Sequence, residues 1–482
     1  MKKKSFYICF LMMLGLLSAC KDDDSFTMSP SNLLTFSVDT VDIDTVFSNV
    51  PTAAQSFWVY NQSGDGLRCQ SIRLENGATT GFRVNVDGQY LGESAGYAVS
   101  GIEVRNNDSI RVFVELTSPE NGQVDPQLLQ DNLVFTLESG AQQKVNLRAY
   151  TWDALKYTDV HITSDSVFGG QQKPVIIYGG VTVDSGATMK IPAGTTLYFH
   201  NDAGMNIRGT LKTMGEPGNE VVLRGDRIDH MFDYLPYDRV SGQWQGLHFY
   251  PTSYDNQLTY TDLHSAYNGV VVDSSDVKKM KLTISNTTIH NCQGYGLHAV
   301  NAMMTLENSQ FTNTLNDCVR LDGGDVTMNQ CTLAQFYPFD AARLAALRFT
   351  ATTAPLERLE VYNSLVTGYA DDVVMGEQGD SARAFSYTFD HCVLRTPKVT
   401  TQDSVNFVDV VFEDLEDTTH CATKHFVKID TDNLYYDFSL DSVSVCVGKA
   451  NVQKALPVDR KGRLRDDAPD VGAYEWIATK EE

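Results

Sequence analysis

The sequence predicts an all-β protein in which an antiparallel β-sandwich is followed by a solenoid of parallel strands. Residues 33–152 contain at least seven short alternating segments, separated by clusters of Gly, Asn and Ser. Further along, three segments superimpose at a step of 22 residues, a repeat length typical of one turn of a parallel β-solenoid. These segments cover residues 282–289, 304–311 and 326–333.

The chain begins with the features of a cleaved export signal. Lysines at positions 2–4 precede an apolar run over residues 6–17, which is too short to span a bilayer as a mature helix. The following Leu-Ser-Ala-Cys resembles the bacterial lipobox. That resemblance implies removal of residues 1–19 and lipidation of Cys20 with acyl chains such as palmitate, which anchor a protein to the membrane without spanning it. The alternative is an ordinary signal peptide that happens to contain a Cys.

Residues 20–32 form a polar tether, and its acidic run at 22–24 resembles the tag by which some Gram-negative bacteria send lipoproteins to the outer surface. The alternative is the start of a solvated linker. The predicted location is therefore the outer membrane, exposed at the cell surface. A net charge of −23 argues against nucleic acid and anionic lipid headgroups as partners. The expected partners are the membrane, through the anchor, and a polysaccharide or a surface protein.

The segments of the predicted sandwich have the number and spacing of strands in an immunoglobulin-like domain. They look like the Ig-like modules that bacterial surface proteins use as stalks. Residues 153–179 are predicted to be a connector and cap. The clearest alternating segments lie at 34–38, 57–60, 72–74, 82–86, 110–116, 133–137 and 145–149.

The solenoid is predicted to run over residues 180–476, with Gly at tight corners between short strands. In the 22-residue repeat, apolar and polar residues alternate, and an Asn or Gln precedes a second apolar position. Like residues should stack inward from coil to coil. One ladder is Ile284, Leu306 and Met328, and the other is Ile289, Phe311 and Leu333.

Residues 180–211 resemble the opening coils of right-handed parallel β-helices of the pectate-lyase-like superfamily, and 242–249 resemble a Trp-containing coil found in many of them. Residues 459–476, with Pro-Asp-Val-Gly-Ala-Tyr-Glu at 469–475, look like the closing motif of many secreted bacterial β-helix proteins. The resemblance implies a right-handed β-helix closed by this motif. It does not imply an activity, because lyases, hydrolases, adhesins and uncharacterised lipoproteins share the fold. We expect Val471, Ala473 and Tyr474 to cover the last coil.

Seven cysteines remain beyond the signal and Cys20. Cys331 and Cys392 occupy the same slot of the repeat and are expected to pack in a buried ladder. Cys421 with Cys446 is the one pair considered for a disulfide.

The sequence contains no His-Glu-x-x-His motif, and no Ser or Cys is placed by its spacing beside a particular His. His420, Cys421 and His425 are interpreted as structural. The stretch from Asp430 to Asp437 superficially resembles a calcium loop but lacks its Gly and terminal Glu, which favours capping turns. The sequence therefore predicts no cofactor and no metal site, with calcium unsupported.

The best candidate site is a row of outward side chains on the second strand of successive coils. The row should hold His248, Val271, His298, Arg320, Arg348 and Val374, with Asp322 on the same face. Both arginines are expected to be exposed. His248, His298, Arg320, Asp322 and Arg348 are the candidate catalytic or glycan-binding residues, and an ordinary solvated face is the alternative.

These observations favour a cell-surface lipoprotein whose Ig-like stalk presents a β-helix as a binding or structural module, related to glycans or adhesion. The alternative is a polysaccharide lyase or glycosidase acting on an outer face of the β-helix. The sequence leaves enzymatic activity open and leans towards a non-catalytic protein.

Overall fold

The computed structural model describes residues 25–232 and 234–478. The predicted signal peptide at 1–19, Cys20 and the first residues of the tether lie outside this part. The chain divides into two compact units between Asp153 and Ala154. None of the described helices is long and apolar enough to cross a membrane.

The first unit contains two mainly antiparallel sheets that share one apolar core, as the predicted sandwich requires. Alternation explains the strands: in Ser109–Leu116, every second side chain is buried. Two 3-10 turns, Gly77–Thr79 and Glu93–Ala95, lie between strands. One sheet comprises Thr35–Phe36, Gln55–Tyr60, Ser109–Leu116, Phe82–Val86 and Gln89–Tyr90, and the other Thr40–Phe47, Gln142–Trp152, Gln127–Leu137, Leu67–Leu74, Ala98–Val99 and Ile102–Val104.

Parallel pairing in the second unit begins earlier than predicted. Leu155–Ile162, within the predicted connector, pairs in parallel with Val175–Val183 and forms the edge of an 18-stranded sheet. Most of its side chains are exposed. Since an edge strand of this kind has no strong apolar alternation, its sequence does not stand out as a strand.

Each coil of the solenoid contributes strands to three columns, which we name in chain order A, B and C. Column A is a separate ten-stranded sheet, and columns B and C belong to the 18-stranded sheet. Column A comprises Ser166–Val167, Thr188–Pro192, Thr210–Met214, Asn256–Thr259, Met280–Ser285, Met303–Glu307, Gly324–Asn329, Leu356–Tyr362, Phe385–Asp390 and Phe407–Val408. Column B comprises Thr196–Phe199, Val221–Gly225, Thr261–His264, Thr288–Cys292, Gln310–Thr314, Thr332–Gln335, Leu365–Gly368, Val393–Leu394 and Val411–Phe412. Column C comprises Met205–Ile207, Leu247–Phe249, Val270–Val272, Leu297–Val300, Val319–Asp322, Leu347–Thr350 and Val374–Glu377.

Both predicted ladders are confirmed. Ile284 pairs with Leu306 and Leu306 with Met328 in column A, while Ile289, Phe311 and Leu333 pair in column B. All six side chains are buried. Continuous stacks of this kind replace the closed core that a single coil cannot form.

The Asn or Gln of the repeat forms the corner between columns A and B. Asn286, Asn308, Gln330 and Asn363 have φ angles of 50°, 46°, 49° and 48°. This left-handed backbone is disfavoured for most side chains, and Asn tolerates it better than most. The polar residue recurs because the corner recurs.

Residues 413–478, which we call the closing segment, fold back along the outer face of column B. The backbone N–H groups of Ala473 and Gly472 donate to Thr332 Oγ1 at 2.9 Å and to the Asn363 carbonyl at 2.8 Å. The prediction that Val471, Ala473 and Tyr474 cover the last coil is therefore wrong. These residues lie against middle coils because column B presents outward apolar side chains there, which include Ala334, Leu365 and Val393.

The closing segment contains a 3-10 turn, Ala422–His425, and a hairpin of Phe426–Asp430 with Tyr435–Leu440. Elsewhere the solenoid carries a small hairpin, His230–Phe232 with Leu235–Pro236, and the 3-10 turns Tyr237–Arg239 and Gln402–Asn406. Cys331 and Cys392 are buried in the solenoid core as expected. Cys421 and Cys446, the pair considered for a disulfide, are free thiols.

Candidate functional site: a roofed pocket on column B

Column C carries the predicted outward row, but its register changes at one end. His248, Val271, His298, Arg320 and Arg348 are neighbours on successive strands, as predicted. Arg348 then pairs with Met375, not with the predicted Val374. Val374 instead pairs with Leu347 and packs against the solenoid core, so burial of its apolar side chain decides the register.

Every histidine and arginine of the row on column C has a carboxylate partner. His248 Nε2 lies 2.9 Å from Asp273 Oδ1, and Arg348 Nε donates to Asp317 Oδ2 at 2.9 Å. The row therefore offers ion pairs to solvent and no free positive stripe.

Asp322 joins two members of that row. Its Oδ2 lies 2.9 Å from His298 Nε2 and accepts from Arg320 Nε at 3.0 Å. Burial alone would raise the pKa of Asp322, but these two hydrogen bonds and the charge of Arg320 outweigh it and lower the pKa to about 2. The side chains of Arg320 and Arg348 are only 28% and 25% exposed, so the expectation that both are freely exposed is wrong.

A pocket of about 500 Å³ lies on column B, between its outward side chains and the closing segment. Column B provides carboxylate, imidazole and amide groups, and the closing segment provides a roof of aromatic rings with one lysine. The lining consists of Asp238, Arg239, Asp262, His264, Thr288, His290, Asn291, Gln310, Asn313, Leu434, Tyr435, Tyr436, Asp437, Phe438, Lys461 and Tyr474.

The floor of the pocket brings Asp262, His264 and His290 together. Leu263 and Ile289 pair as buried inward residues, so the side chains flanking them point outward. His264 and His290 are neighbours in register, with ring centroids 4.9 Å apart. Asp262 Oδ1 lies 3.1 Å from His264 Nδ1 and 3.1 Å from His290 Nε2. One carboxylate oxygen thus joins two imidazoles.

The mutual charges of Asp262 and the two histidines control the pKa values in this cluster. Burial would raise the pKa of Asp262, but the charges of His264 and His290 hold it well below its usual range. Burial would lower the pKa of His264, and the charge of Asp262 outweighs this and raises it. The cluster therefore favours an ionised Asp262 beside imidazoles.

Asp238 lies on the far side of His264. Its Oδ1 is 3.8 Å from His264 Nε2, and it forms an ion pair with Arg224. Burial opposes ionisation of Asp238, but the neighbouring His264 and the charge of Arg224 lower its pKa. The His264 Nε2 atom is buried and has no hydrogen-bond partner. The imidazole thus lies between two carboxylates and is satisfied at one nitrogen only.

The roof is tied to the floor by polar contacts. Arg239 donates to the Asn433 carbonyl at 3.0 Å, with its guanidinium 4.9 Å from the centroid of the Tyr435 ring. Tyr474 donates its hydroxyl hydrogen to Gln310 of column B. Tyr435 remains 42% exposed, with Lys428 Nζ a further 5.3 Å from its ring centroid.

The other sequence motifs do not form sites of this kind. His420 Nδ1 lies 2.9 Å from Asp417, whereas His425 lies between Ser444 and Glu413, so His420, Cys421 and His425 do not converge on one point.

The fully buried network around His425 attaches the closing segment to the solenoid, since the Glu413 N–H donates to the Leu394 carbonyl of column B. Asp430 accepts hydrogen bonds from the backbone N–H and the side-chain amide of Asn433 within a hairpin turn, which agrees with the capping interpretation.

The sequence analysis missed Asp262, His264 and His290. The sequence did contain a signal for them. Aligning Leu263 with Ile289, the inward ladder position one coil later, places Asp262, His264 and His290 on one outward face. That comparison needs the 26-residue step of this coil, which differs from the 22-residue repeat.

The family model described as right handed beta helix region matches residues 239–368, which include most of the pocket floor. It supports the right-handed parallel β-helix predicted from the sequence. No curated protein matches the chain.

Similar solved structures include a family 123 glycoside hydrolase from Clostridium perfringens, described for glycolipid glycan hydrolysis. The identity is 9%, the match covers 27% of this chain and 26% of that chain, and the TM-score is 0.18. The chain thus spans about a quarter of that hydrolase. The catalytic domain of Agl-KA is similar at 10% identity, over 75% of this chain and 80% of that chain, with a TM-score of 0.20. Neither likeness carries an argument about activity.

Proposed function

We propose that the protein is a glycan-binding β-helix module and that the pocket on column B takes one sugar residue of the glycan. The observation that carries this proposal is the juxtaposition of a partly exposed tyrosine ring with converging polar groups. Tyr435 overhangs a floor containing Asp262 and His290. A volume of about 500 Å³ lies within the usual range for small-ligand pockets.

The chemistry of the lining suits a sugar. Hydroxyl groups need both donors and acceptors, which Asp437, Asn291 and Lys461 supply, while the C–H face of a pyranose can pack on the Tyr435 ring. Asp238, Asp262 and Asp437 oppose the cations Arg239 and Lys461, so the pocket has no strong excess of positive charge. This balance and the net charge of −23 favour a neutral glycan over a uronic-acid chain.

The electrostatics favour binding over hydrolysis. A two-carboxylate glycosidase keeps one carboxyl protonated by raising its pKa. In the pocket, the pKa values of Asp262 and Asp238 are both lowered, for Asp262 by the neighbouring imidazoles and for Asp238 by His264 and Arg224 against the effect of burial. Neither group is poised as a general acid.

Titration of the purified chain with neutral and uronic-acid oligosaccharides tests this proposal. We expect Tyr435→Ala to weaken binding about tenfold, the effect of one aromatic contact. Tyr267→Ala is the matched control, because Tyr267 is also an exposed tyrosine of the solenoid but does not line the pocket. Equal binding by the Tyr435 variant and the wild type would contradict the assignment.

The same samples distinguish the enzymatic alternative on column C. We measure release of reducing ends and absorbance of an unsaturated product. Activity that is lost in the double variant Arg320→Gln/Arg348→Gln would favour a glycosidase or lyase acting over His298, Arg320 and Asp322. Binding without product supports the module.

We also propose that the protein is an outer-membrane lipoprotein exposed at the cell surface, with the first unit as its stalk. The support is the lipobox-like stretch before Cys20 and the acidic run after it. We expect Cys20→Ala to block processing or to release the protein from membranes, as measured by fractionation and by surface proteolysis of intact cells. A correctly cleaved variant that still partitions with membranes would contradict the anchor.

A further inference from the structure

The cluster on the pocket floor has the ligand types and the spacing of a metal centre. We propose that Asp262, His264 and His290 bind a divalent transition-metal ion of the Zn²⁺ class. This inference does not depend on the glycan proposal, because the ligand atoms are arranged without reference to a sugar.

The distances support three ligands around one ion. One ligand atom of each residue lies within 4.8 Å of those of the other two, and both nitrogen-to-oxygen separations are 3.1 Å. Two ligands at about 2.1 Å from one ion and about 100° apart are themselves about 3 Å apart. At a tetrahedral angle the two imidazole nitrogens would be about 3.4 Å apart, and a rotation of either ring can bring them from within 4.8 Å to this separation.

Asp238 completes the arrangement as an orienting group. A histidine that binds metal through one nitrogen usually donates its other N–H to a carboxylate. With Nδ1 of His264 directed at Asp262, the buried Nε2 has no hydrogen-bond partner and lies 3.8 Å from Asp238 Oδ1. His264 is only 6% exposed, so this unsatisfied atom needs a structural reason. A metal on Nδ1 would fix the tautomer that directs Nε2–H towards Asp238.

The neighbouring column lacks this combination. On column C, Asp322 also contacts a histidine, His298, but its next partner is Arg320, a permanent cation that cannot bind a metal. Across residues 25–232 and 234–478, Asp262, His264 and His290 form the one group of three His, Cys or carboxylate side chains with ligand atoms this close together.

The ligand set also selects the class of ion. Two imidazoles and one carboxylate suit Zn²⁺, Co²⁺, Ni²⁺ and Cu²⁺, whereas Ca²⁺ and Mg²⁺ require six or more oxygen ligands. All three side chains line the pocket, so the remaining coordination positions would open into it.

Isothermal titration of the untagged full chain, purified with chelator and dialysed, tests the site with Zn²⁺ and with Ca²⁺ as a comparison. Co²⁺ titration followed by visible absorption reports nitrogen and oxygen ligation directly. The variants are His290→Gln and the matched control His298→Gln, which removes a similarly half-buried histidine paired with an aspartate. Both titrations are done without glycan, so failure of metal binding and failure of sugar binding are separate results.

We expect one Zn²⁺ per chain, no comparable Ca²⁺ binding, and a melting temperature raised by about 4 °C at a hundredfold excess over Kd. His290→Gln should weaken Zn²⁺ binding at least about 100-fold and abolish the thermal shift, while His298→Gln should change neither. Asp238→Asn should weaken binding about 10–100-fold with unchanged stoichiometry, the effect of losing an orienting carboxylate.

Circular dichroism of metal-free His290→Gln establishes that this variant is folded. If it is not, the Co²⁺ spectrum of the wild type and the comparison of Asp238→Asn with His298→Gln still decide the question. Absence of saturable Zn²⁺ binding, retention of the same affinity in His290→Gln, or an equal loss in His298→Gln would overturn the proposal. The cluster would then be a hydrogen-bonded network only.

Discussion

Columns B and C present outward histidine and arginine side chains on the same coils, but the two rows differ in their partners and in whether the closing segment covers them. On column C each histidine and arginine of the row has a carboxylate partner, as His298 has Asp322. On column B the closing segment covers the row, and Asp262 is shared by two histidines in a pocket. The residue types are similar, and the cover and the kind of partner separate the two rows, because Asp322 joins a histidine to an arginine whereas Asp262 joins two histidines.

The largest expected effect concerns the cover itself. Deleting residues 459–482 removes Val471, Ala473 and Tyr474 from column B and exposes Ala334 and Leu365. We expect aggregation, measured by size-exclusion chromatography with light scattering, because a contiguous apolar face then meets solvent. Monomeric protein that unfolds cooperatively at the wild-type temperature would show that column B does not need its cover.

A buried ion pair within the closing segment supports the same attachment, because its arginine, Arg465, also donates to Asn308 Oδ1 of the solenoid at 3.1 Å. Arg465 and Glu475 pair at 2.9 Å, with side chains 2% and 3% exposed. Arg465→Ala leaves a buried carboxylate unpaired and should lower the free energy of unfolding by about 3–5 kcal/mol in urea titrations. The matched control is Arg358→Ala, whose partner Asp325 lies on the open face of column A, with an expected loss of at most about 1 kcal/mol. Similar losses in both variants would mean that the closing segment is not specifically anchored.

Lys281 on column A differs from the paired groups of columns B and C. Its buried ammonium group donates to the Tyr250 carbonyl and not to a carboxylate. Burial lowers the pKa of Lys281 to about 8. The folded pKa lies below the unfolded value of about 10.5, so the stability contributed by this group rises between pH 8 and 10.5 and is lost as pH falls through 8.

Lys281→Met should remove this pH dependence. Relative to wild type, the variant should lose about 2 kcal/mol between pH 7 and pH 10 in chemical unfolding. The other titrating groups cancel in the difference between the two proteins. A difference that does not vary with pH would contradict the shifted pKa.

The smallest effects separate the two arginines of column C. Arg348→Gln leaves Asp317, which is fully buried, with the Ala345 N–H as its remaining donor, and should cost about 1–2 kcal/mol. Arg320→Gln should cost less than about 1 kcal/mol, because His298 and Thr350 still contact Asp322. Differential scanning calorimetry of both variants measures which loses more stability. Equal losses would mean that the burial of the partner carboxylate does not affect the cost.

Much of the solenoid followed from local pattern. Alternation placed Leu306 and Phe311 inward, because it depends on residues within one coil. The repeat also contained the recurring Asn308, whose left-handed corner the structure revealed. Less of the structure could be predicted at the two ends of the solenoid. Leu155–Ile162 is an exposed edge strand without apolar alternation, and Val374 shifts register to bury its side chain.

The sequence by itself determined the all-β class, the two-part organisation and the inward ladders, because strand alternation and the coil repeat are short-range properties of the chain. It also placed the histidines and arginines of column C on one outward face. Only the tertiary structure decided which of them pair, since Asp262 meets His290 across one coil and Tyr435 reaches the same pocket from a segment more than 140 residues later. Contacts of that range depend on how the closing segment docks, and docking is set by apolar surface contributed by many coils together.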